Sequence, residues 1–198
     1  MEYRTIVSKN GLEIREFLVE DLKLFKNFSP YDDILLTDYN LCFLNQKELL
    51  KWKKMILNKK NNFFSIFLSD NLIGYISVKK CSFFDSDYEL SISLDAKYAS
   101  KGYGFLSLQL FLRFYFDNFN KNSIYLNVNS FNKRAIGLYE KIGFKRVGEF
   151  LGDFEVQNMN NLKRFLENKE YFEIKKDIIY SKIITMELDK FVYMERWG

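Results

Sequence analysis

The chain contains no histidine. Without an imidazole, Ser–His and Cys–His nucleophile pairs are excluded, and so is the commonest zinc ligand. Acid–base chemistry therefore falls to carboxylates, tyrosine, lysine or water. Cysteine is scarce as well. Cys42 and Cys81 stand apart without CxxC spacing and read as reduced thiols of a cytoplasmic protein, with no covalent role. No uncharged run is long enough to span a bilayer, and Met1-Glu2-Tyr3-Arg4-Thr5-Ile6 lacks the apolar core of a signal peptide, so no membrane partner is expected. The net charge of +4 is mild, both signs are interspersed, and no Lys/Arg block forms the footprint of a nucleic-acid binder.

What is present is ordinary for a folded protein. The 198 residues fit one domain, 1–198, large enough to bury a core without staples. Hydrophobic content of 47% with 28% charge excludes disordered and collagen-like classes. The aromatic fraction is high, 18%, and composition alone does not choose between compositional bias and a dedicated stacking surface.

Local patterns place the elements. Tyr3–Ile6 and Leu12–Phe17 flank Asn10-Gly11, a hairpin signal. A helix beginning at Val19 stops at Ser29-Pro30, and Tyr31–Leu44 is loop-like, with Asp32, Asp33 and Asp38 in it. Asn45 is an N-cap for a helix over Gln46–Leu57. Strands follow at Phe63–Leu68 and Leu72–Val78, then at Tyr88–Leu94. Phe105–Phe119 is a helix buried against a sheet, and Ile124–Val128 is the next strand. A helix opened by Asn132, a strand at Phe144–Phe150 and a last strand at Ile178–Leu188 complete the order. The class is α/β (α+β), a mixed, mostly antiparallel sheet flanked by helices. A helical-looking insert, Asn160–Glu173, precedes the last strand; inserts of that length are functional or oligomeric.

Two stretches carry the chemistry. Tyr88-Glu89-Leu90-Ser91-Ile92-Ser93-Leu94 runs into Lys101-Gly102-Tyr103-Gly104, a strand, a turn and a glycine-opened helix. Free backbone N–H groups at such a helix start can hold a pyrophosphate, and glycines let backbone approach it. The spacing lacks the acidic residue and third glycine of a nicotinamide site. The second stretch, Asn132-Lys133-Arg134-Ala135-Ile136-Gly137-Leu138-Tyr139-Glu140-Lys141-Ile142-Gly143-Phe144, is a short helix closed by glycine. Helical spacing puts Ala135, Leu138, Tyr139 and Ile142 on one inward face. Taken alone, Tyr139 is one more core aromatic.

Together and in this order the two stretches resemble the acetyl-coenzyme A site of the GNAT superfamily of N-acetyltransferases, in the style of the branch that includes ribosomal-protein N-terminal and spermidine acetyltransferases. The resemblance covers roughly residues 12–188 and implies the GNAT fold. The family pattern Q/R-x-x-G-x-G/A falls on Ala99–Gly104, and Ala99 departs from it, so Lys101 or Lys97 is left to compensate. By the resemblance, Ile92, Ser93, Leu94, Lys101, Gly102, Tyr103, Gly104, Phe105, Asn132 and Tyr139 bind acetyl-CoA, which is a cosubstrate, and no metal is needed. Asn132 touches the pantetheine region, and Tyr139 lies beside the thioester sulfur as general acid. Period two along the strand separates Leu90, Ile92 and Leu94 from Glu89, Ser91 and Ser93. Glu89 is then either a charge on a solvated face or the base that deprotonates an amine, and the resemblance favours the base.

The implied function is direct acetyl transfer to a primary amine, whether a small molecule, polyamine, amino sugar or protein N-terminus, in a monomer or homodimer. The alternative is a non-catalytic acyl-CoA-binding module of the same fold, a sensor or assembly part. The acceptor site is expected from the loop before the second helix, the Ser82–Asp87 turn and the insert, through Asp32, Asp33, Asp85, Asp87, Asp153 and Glu155. The insert, with Leu162, Phe165 and Leu166 at one-face spacing, is either a lid on that pocket or an interface.

Overall fold

The computed structural model describes residues 4–58, 60–80, 88–157 and 163–198. Strands β1 (Thr5–Lys9), β2 (Leu12–Glu16), β3 (Asn61–Leu68), β4 (Asn71–Lys80), β5 (Tyr88–Leu94), β6 (Ser123–Asn129), β7 (Lys145–Asp153), β8 (Phe172–Lys175) and β9 (Ile178–Asp189) make one sheet. Its order is β1-β2-β3-β4-β5-β6-β9-β7, with β8 also paired to β9. Every pairing is antiparallel except β5 with β6. That exception is also the weakest ladder. β5 pairs with β4 along its whole length, Tyr88 to Leu94, but meets β6 at one register position, Glu89 opposite Tyr125.

The helices are α1 (Gln46–Leu57), α2 (Tyr103–Asn118), α3 (Lys133–Ile142), α4 (Lys163–Leu166) and α5 (Lys190–Trp197). Asn45 caps α1 in a reciprocal box, its Oδ1 accepting from Glu48 N at 3.1 Å while Glu48 Oε2 accepts from Asn45 N at 2.7 Å. The Asn10-Gly11 hairpin forms with both residues at positive φ, 52° and 79°. The segment from Val19 is tighter than expected, a 3-10 helix over Val19–Asn27. Two further 3-10 turns, Ile34–Tyr39 and Leu41–Phe43, order the segment read as loop and make of it a strap.

The insert needs the largest correction. Its Asn160–Leu162 part lies outside the described residues, as do Cys81 and the Ser82–Asp87 turn. Of the rest, only Lys163–Leu166 is α-helical; a 3-10 turn spans Lys169–Tyr171, and Phe172–Lys175 is strand β8. The physical reason is the turn that follows. Lys176 and Asp177 both take positive φ, 49° and 62°, which closes a two-residue hairpin onto β9 and pulls the preceding residues into the sheet. Helix α5 was not expected. Asp189 caps it by accepting from Phe191 N and Val192 N, and Tyr193 Oη donates to Gln109 O of α2 at 2.5 Å.

Aromatic residues fill the interior. Phe64, Phe111, Tyr115 and Phe116 belong to the main core between the sheet and α2, and Phe25 packs with Phe17, Phe28, Trp52 and Tyr75 under α1. A third cluster joins Phe131, Phe154, Phe165 and Phe172 beneath the strap residue Leu35. Among the described residues the aromatic excess thus serves mainly packing.

One buried polar unit fixes how the segment after β2 docks. Arg15 and Asp21 are 6% and 4% exposed and pair through two hydrogen bonds, 2.9 and 2.7 Å. Asp21 also accepts from Ser65 Oγ at 2.6 Å and Leu18 N at 2.9 Å. Asp21→Ala would leave a guanidinium, a hydroxyl and an N–H without this acceptor. Denaturant unfolding should show a loss of about 3–5 kcal/mol, the cost of breaking a buried pair from one side; a loss within ~0.5 kcal/mol would show that water replaces the carboxylate.

Candidate active site

Beyond Glu89 and Tyr125, β5 and β6 diverge, and a cleft of about 410 Å³ opens between them. The β5 edge that turns towards β6 over Leu90–Leu94 has no ladder partner there, so its alternate N–H and C=O groups are available to a ligand. Its floor is built from residues 90–94 and its far wall from Asn127 and Val128 of β6. The Ser93 hydroxyl is buried in this floor and has no hydrogen-bond partner among the described residues.

The turn after β5 is pinned by a buried carboxylate. Asp95, 4% exposed, accepts from Lys97 N at 2.8 Å and from Ser29 N at 3.0 Å. It fixes both the approach to α2 and the root of the strap. Helix α2 then starts from Gly102 at φ +86°, a left-handed conformation suited to glycine, and no side chain caps its first N–H groups. Gly102, Gly104 and Phe105 line the cleft at this helix start. A Cβ on Gly104 would stand 3.3 Å from Leu138 Cδ2 and 3.5 Å from Leu94 Cδ1.

From the other side α3 supplies Asn132, Arg134, Ala135, Leu138 and Tyr139. Asn132 Oδ1 caps that helix by accepting from Ala135 N at 3.2 Å. The fully buried stripe is Ile136, Tyr139 and Ile142, while Ala135 and Leu138 face the cleft. Tyr139 is 8% exposed and packs edge-to-face on Phe144, with ring centroids 5.7 Å apart. Burial, with a smaller contribution from Tyr39, pushes its phenol well above the usual range, so it stays protonated at any ordinary pH.

The strap closes the remaining side with Tyr31, Asp38 and Tyr39. Tyr31 Oη donates to Leu94 O at 3.0 Å, and the Arg134 guanidinium lies 5.2 Å from the Tyr31 ring centroid. Arg164 of α4 holds the strap from outside through Asp33, at 3.0 and 3.1 Å. Asp38 opens to solvent at the mouth, yet its carboxyl is raised, first by the desolvation of the cleft wall and then by the charge of Glu155.

The expected site residues separate into two groups. Ile92, Ser93, Leu94, Gly102, Gly104, Phe105, Asn132 and Tyr139 meet at this cleft. Glu89 does not line it; the residue stands where β5 and β6 are still paired, at the closed end of the opening. Lys101 is exposed and off the lining, and Tyr103 packs on Tyr98 with centroids 5.8 Å apart. Lys97 lies over the Tyr98 ring at 5.6 Å, and Ala99 itself is part of the wall. Of the expected acceptor acids, Asp33 is engaged by Arg164, Asp85 and Asp87 fall outside the described residues, and Glu155 acts electrostatically on Asp38. Tyr31, Tyr39, Tyr75, Asn127 and Arg134 were not anticipated. Their signal was absent from local spacing, since they reach the cleft from four separate parts of the chain: the strap, β4, β6 and α3. Among the described residues no group of three or more Cys, Asp or Glu is placed to hold a metal, and no helix is long and apolar enough to cross a membrane.

A splayed β5–β6 pair with a helix start that no side chain caps among the described residues, and a buried tyrosine lining the same cleft, is the arrangement that the resemblance to N-acetyltransferases leads one to expect. The comparisons agree: residues 12–145 match the acetyltransferase (GNAT) domain, and the chain belongs to that family. It is an acetyl-CoA-dependent N-acetyltransferase. The SPbeta prophage-derived uncharacterized N-acetyltransferase YokL of Bacillus subtilis (strain 168) is 26% identical over 141 residues, 70% of this chain and 78% of that one. The crystal structure of spermidine N-acetyltransferase from Vibrio cholerae in complex with CoA and spermine superposes with a TM-score of 0.69 at 21% identity, covering 94% of this chain and 99% of that one. A chimera of spermidine N-acetyltransferase SpeG from Vibrio cholerae and hSSAT gives 0.68 at 20% identity, with 94% and 100% covered. At these identities the two structures establish the fold.

Gly104→Val would bring a branched side chain against Leu94 and Leu138 at the helix start. Acetyl-CoA affinity, measured by calorimetric titration, should fall at least tenfold, about 1.4 kcal/mol. Unchanged affinity would move the pyrophosphate away from this turn.

Proposed function

We propose that the protein transfers acetyl directly to a primary amine, with no covalent enzyme intermediate, and that Tyr139 is the general acid. The observation that carries this is the meeting of three features in one cleft: the unpaired β5 edge, the uncapped start of α2, and the buried Tyr139 phenol. The residues present suit acetyl-CoA. Backbone N–H groups from Tyr103 to Phe105 would take the pyrophosphate, and the β5 edge with the unpartnered Ser93 hydroxyl would take the pantetheine amides and the acyl oxygen. Lys101 would act only through its backbone or its charge.

Bound acetyl-CoA supplies a thioester carbon activated for attack. The ammonium of the acceptor sheds two protons in the overall exchange. One leaves to solvent through a base before the amine nitrogen forms its new C–N bond. As the C–S bond breaks, Tyr139 gives a proton to the sulfur, and the second proton of the nitrogen restores the phenol. A phenol kept neutral by burial is always loaded for this step. The thiol it produces has an ordinary pKa of about 8.5, so the sulfur holds the proton at neutral pH.

The acceptor reading is a cationic primary amine. The neighbouring spermidine N-acetyltransferase holds spermine, and the one carboxylate in this cleft wall among the described residues, Asp38, suits a cation. A competing reading, a module that binds acyl-CoA without turning it over, is favoured by Ala99 in the wall where the family has a polar residue. Thiol release from acetyl-CoA over a panel of spermidine, an amino sugar and a peptide N-terminus decides between them. Release with the polyamine ahead of the others is expected; no release with any amine would leave the binding module.

The domain is proposed to run to residue 188, past the matched segment, because β9 lies between β6 and β7 and the sheet cannot close without it. Helix α4 supports a lid role for the insert, since Phe165 is buried in the cluster under the strap and Arg164 grips Asp33. Tyr139→Phe should keep acetyl-CoA affinity and lower kcat by about 10²–10⁴-fold, the usual contribution of a general acid. Wild-type turnover under conditions where chemistry limits would return Tyr139 to packing.

A further inference from the structure

We propose that Asp38, at the tip of the strap, is the catalytic base that receives the proton of the incoming amine and seats its cation, so that the acid–base pair of this site is Asp38 with Tyr139. The assignment rests on the transfer reading above and deepens it.

Position comes first. Asp38 and Tyr139 line the same cleft, whereas Glu89 stands at its closed end. Asp38 is the one carboxylate of the wall and forms no ion pair among the described residues. The single guanidinium of the wall among the described residues, Arg134, is turned to Tyr31 and lies over its ring. The groups facing Asp38 from the packed elements are therefore acidic or neutral. They are Tyr31 and Tyr39 of the strap, Tyr75 of β4, Tyr139 of α3, and Glu155 from the segment after β7; Arg134 is the cation at the rim. An unpaired carboxylate with a second one behind it attracts a cationic acceptor.

The chemistry asks for more than attraction. A primary ammonium has a pKa of about 10 and an ordinary carboxyl about 4, so the proton must climb roughly six units. Partial burial and the Glu155 charge both raise the Asp38 carboxyl and shorten that climb. Desolvation in the cleft also favours the neutral amine and carboxylic acid over the charged pair. In the step an N–H bond breaks, an O–H bond forms on Asp38, and the nitrogen keeps the electron pair for attack. Because Asp38 is exposed at the mouth, the proton then passes to water and the carboxylate is restored.

The test is the pH dependence of kcat/KM for spermidine at saturating acetyl-CoA, on the full chain. Asp38→Asn should lose about 10²–10⁴-fold at neutral pH, typical of a removed general base. The deficit should shrink as pH approaches that of amine deprotonation, because the substrate then arrives neutral. Asp38→Glu should recover part of the loss. Glu155→Gln removes a charge that raises the Asp38 carboxyl, so its acidic limb should move to lower pH. Calorimetric affinity for acetyl-CoA should match the wild type in each variant, which separates these effects from misfolding. An Asp38→Asn deficit that is absent, or equal at every pH, overturns the assignment while wild-type turnover keeps the transfer reading. An acidic limb that survives Asp38→Asn and vanishes in Glu89→Gln returns the role to Glu89. Absence of thiol release in the wild type with any amine defeats the transfer reading and this assignment with it.

Discussion

Parallel pairing between β5 and β6 holds at Glu89 and Tyr125 and then stops, and the active-site cleft is the space that this leaves. A strand edge freed from its ladder is expensive to leave dry, because each buried N–H or C=O needs a partner. The rest of the structure is organised around keeping that edge open and usable. On one side β4 pairs β5 completely and holds it rigid; on the other, β9 pairs β6 over its full length. Two stiff half-sheets hinged at one register position cannot collapse onto each other without breaking their own ladders. Tyr31 occupies one freed carbonyl, Leu94 O, and the others remain for a ligand with alternating amides.

Helices and strap then set what enters. Asp95 fastens both the turn into α2 and the strap root with one carboxylate, so the helix-start end and the strap side of the cleft share an anchor. Farther out, Arg164 and the Phe165 cluster brace the strap from the insert. The strap side of the cleft is thereby tied to a segment that contributes little to the sheet. The same arrangement explains the electrostatics. The phenols of Tyr139, buried, and Tyr75, half-buried, stay neutral because desolvation pushes them up, while the one carboxylate in the wall among the described residues, Asp38, is exposed to solvent.

Much of this was legible in the order of residues, and the reason is locality. The Asn10-Gly11 hairpin, the Asn45–Glu48 capping box, the β5 alternation and the glycine start of α2 are each decided by residues within one turn or one strand. The run from Asn132 to Phe144 specified a capped helix with Tyr139 inward, and it supplies one side of the cleft. Helical periodicity misled in the insert, where Phe172 and Ile174 obey the period of a strand once the Lys176-Asp177 turn folds them back on β9. Local spacing could not choose, because the deciding partner is contributed by β9.

The sequence by itself determined the fold class, the glycine-opened turn into α2 and the inward placement of Tyr139, since each depends on neighbours along the chain. Tertiary structure alone decided which carboxylate lines the cleft among the described residues. Glu89 and Asp38 lie 51 residues apart in number, one on a central strand and one in an apparent loop, and the family resemblance pointed to the strand residue. Where the β5–β6 ladder closes and where the strap tip comes to rest are long-range outcomes of sheet pairing and aromatic packing, and they put Asp38 in the cleft and Glu89 outside it.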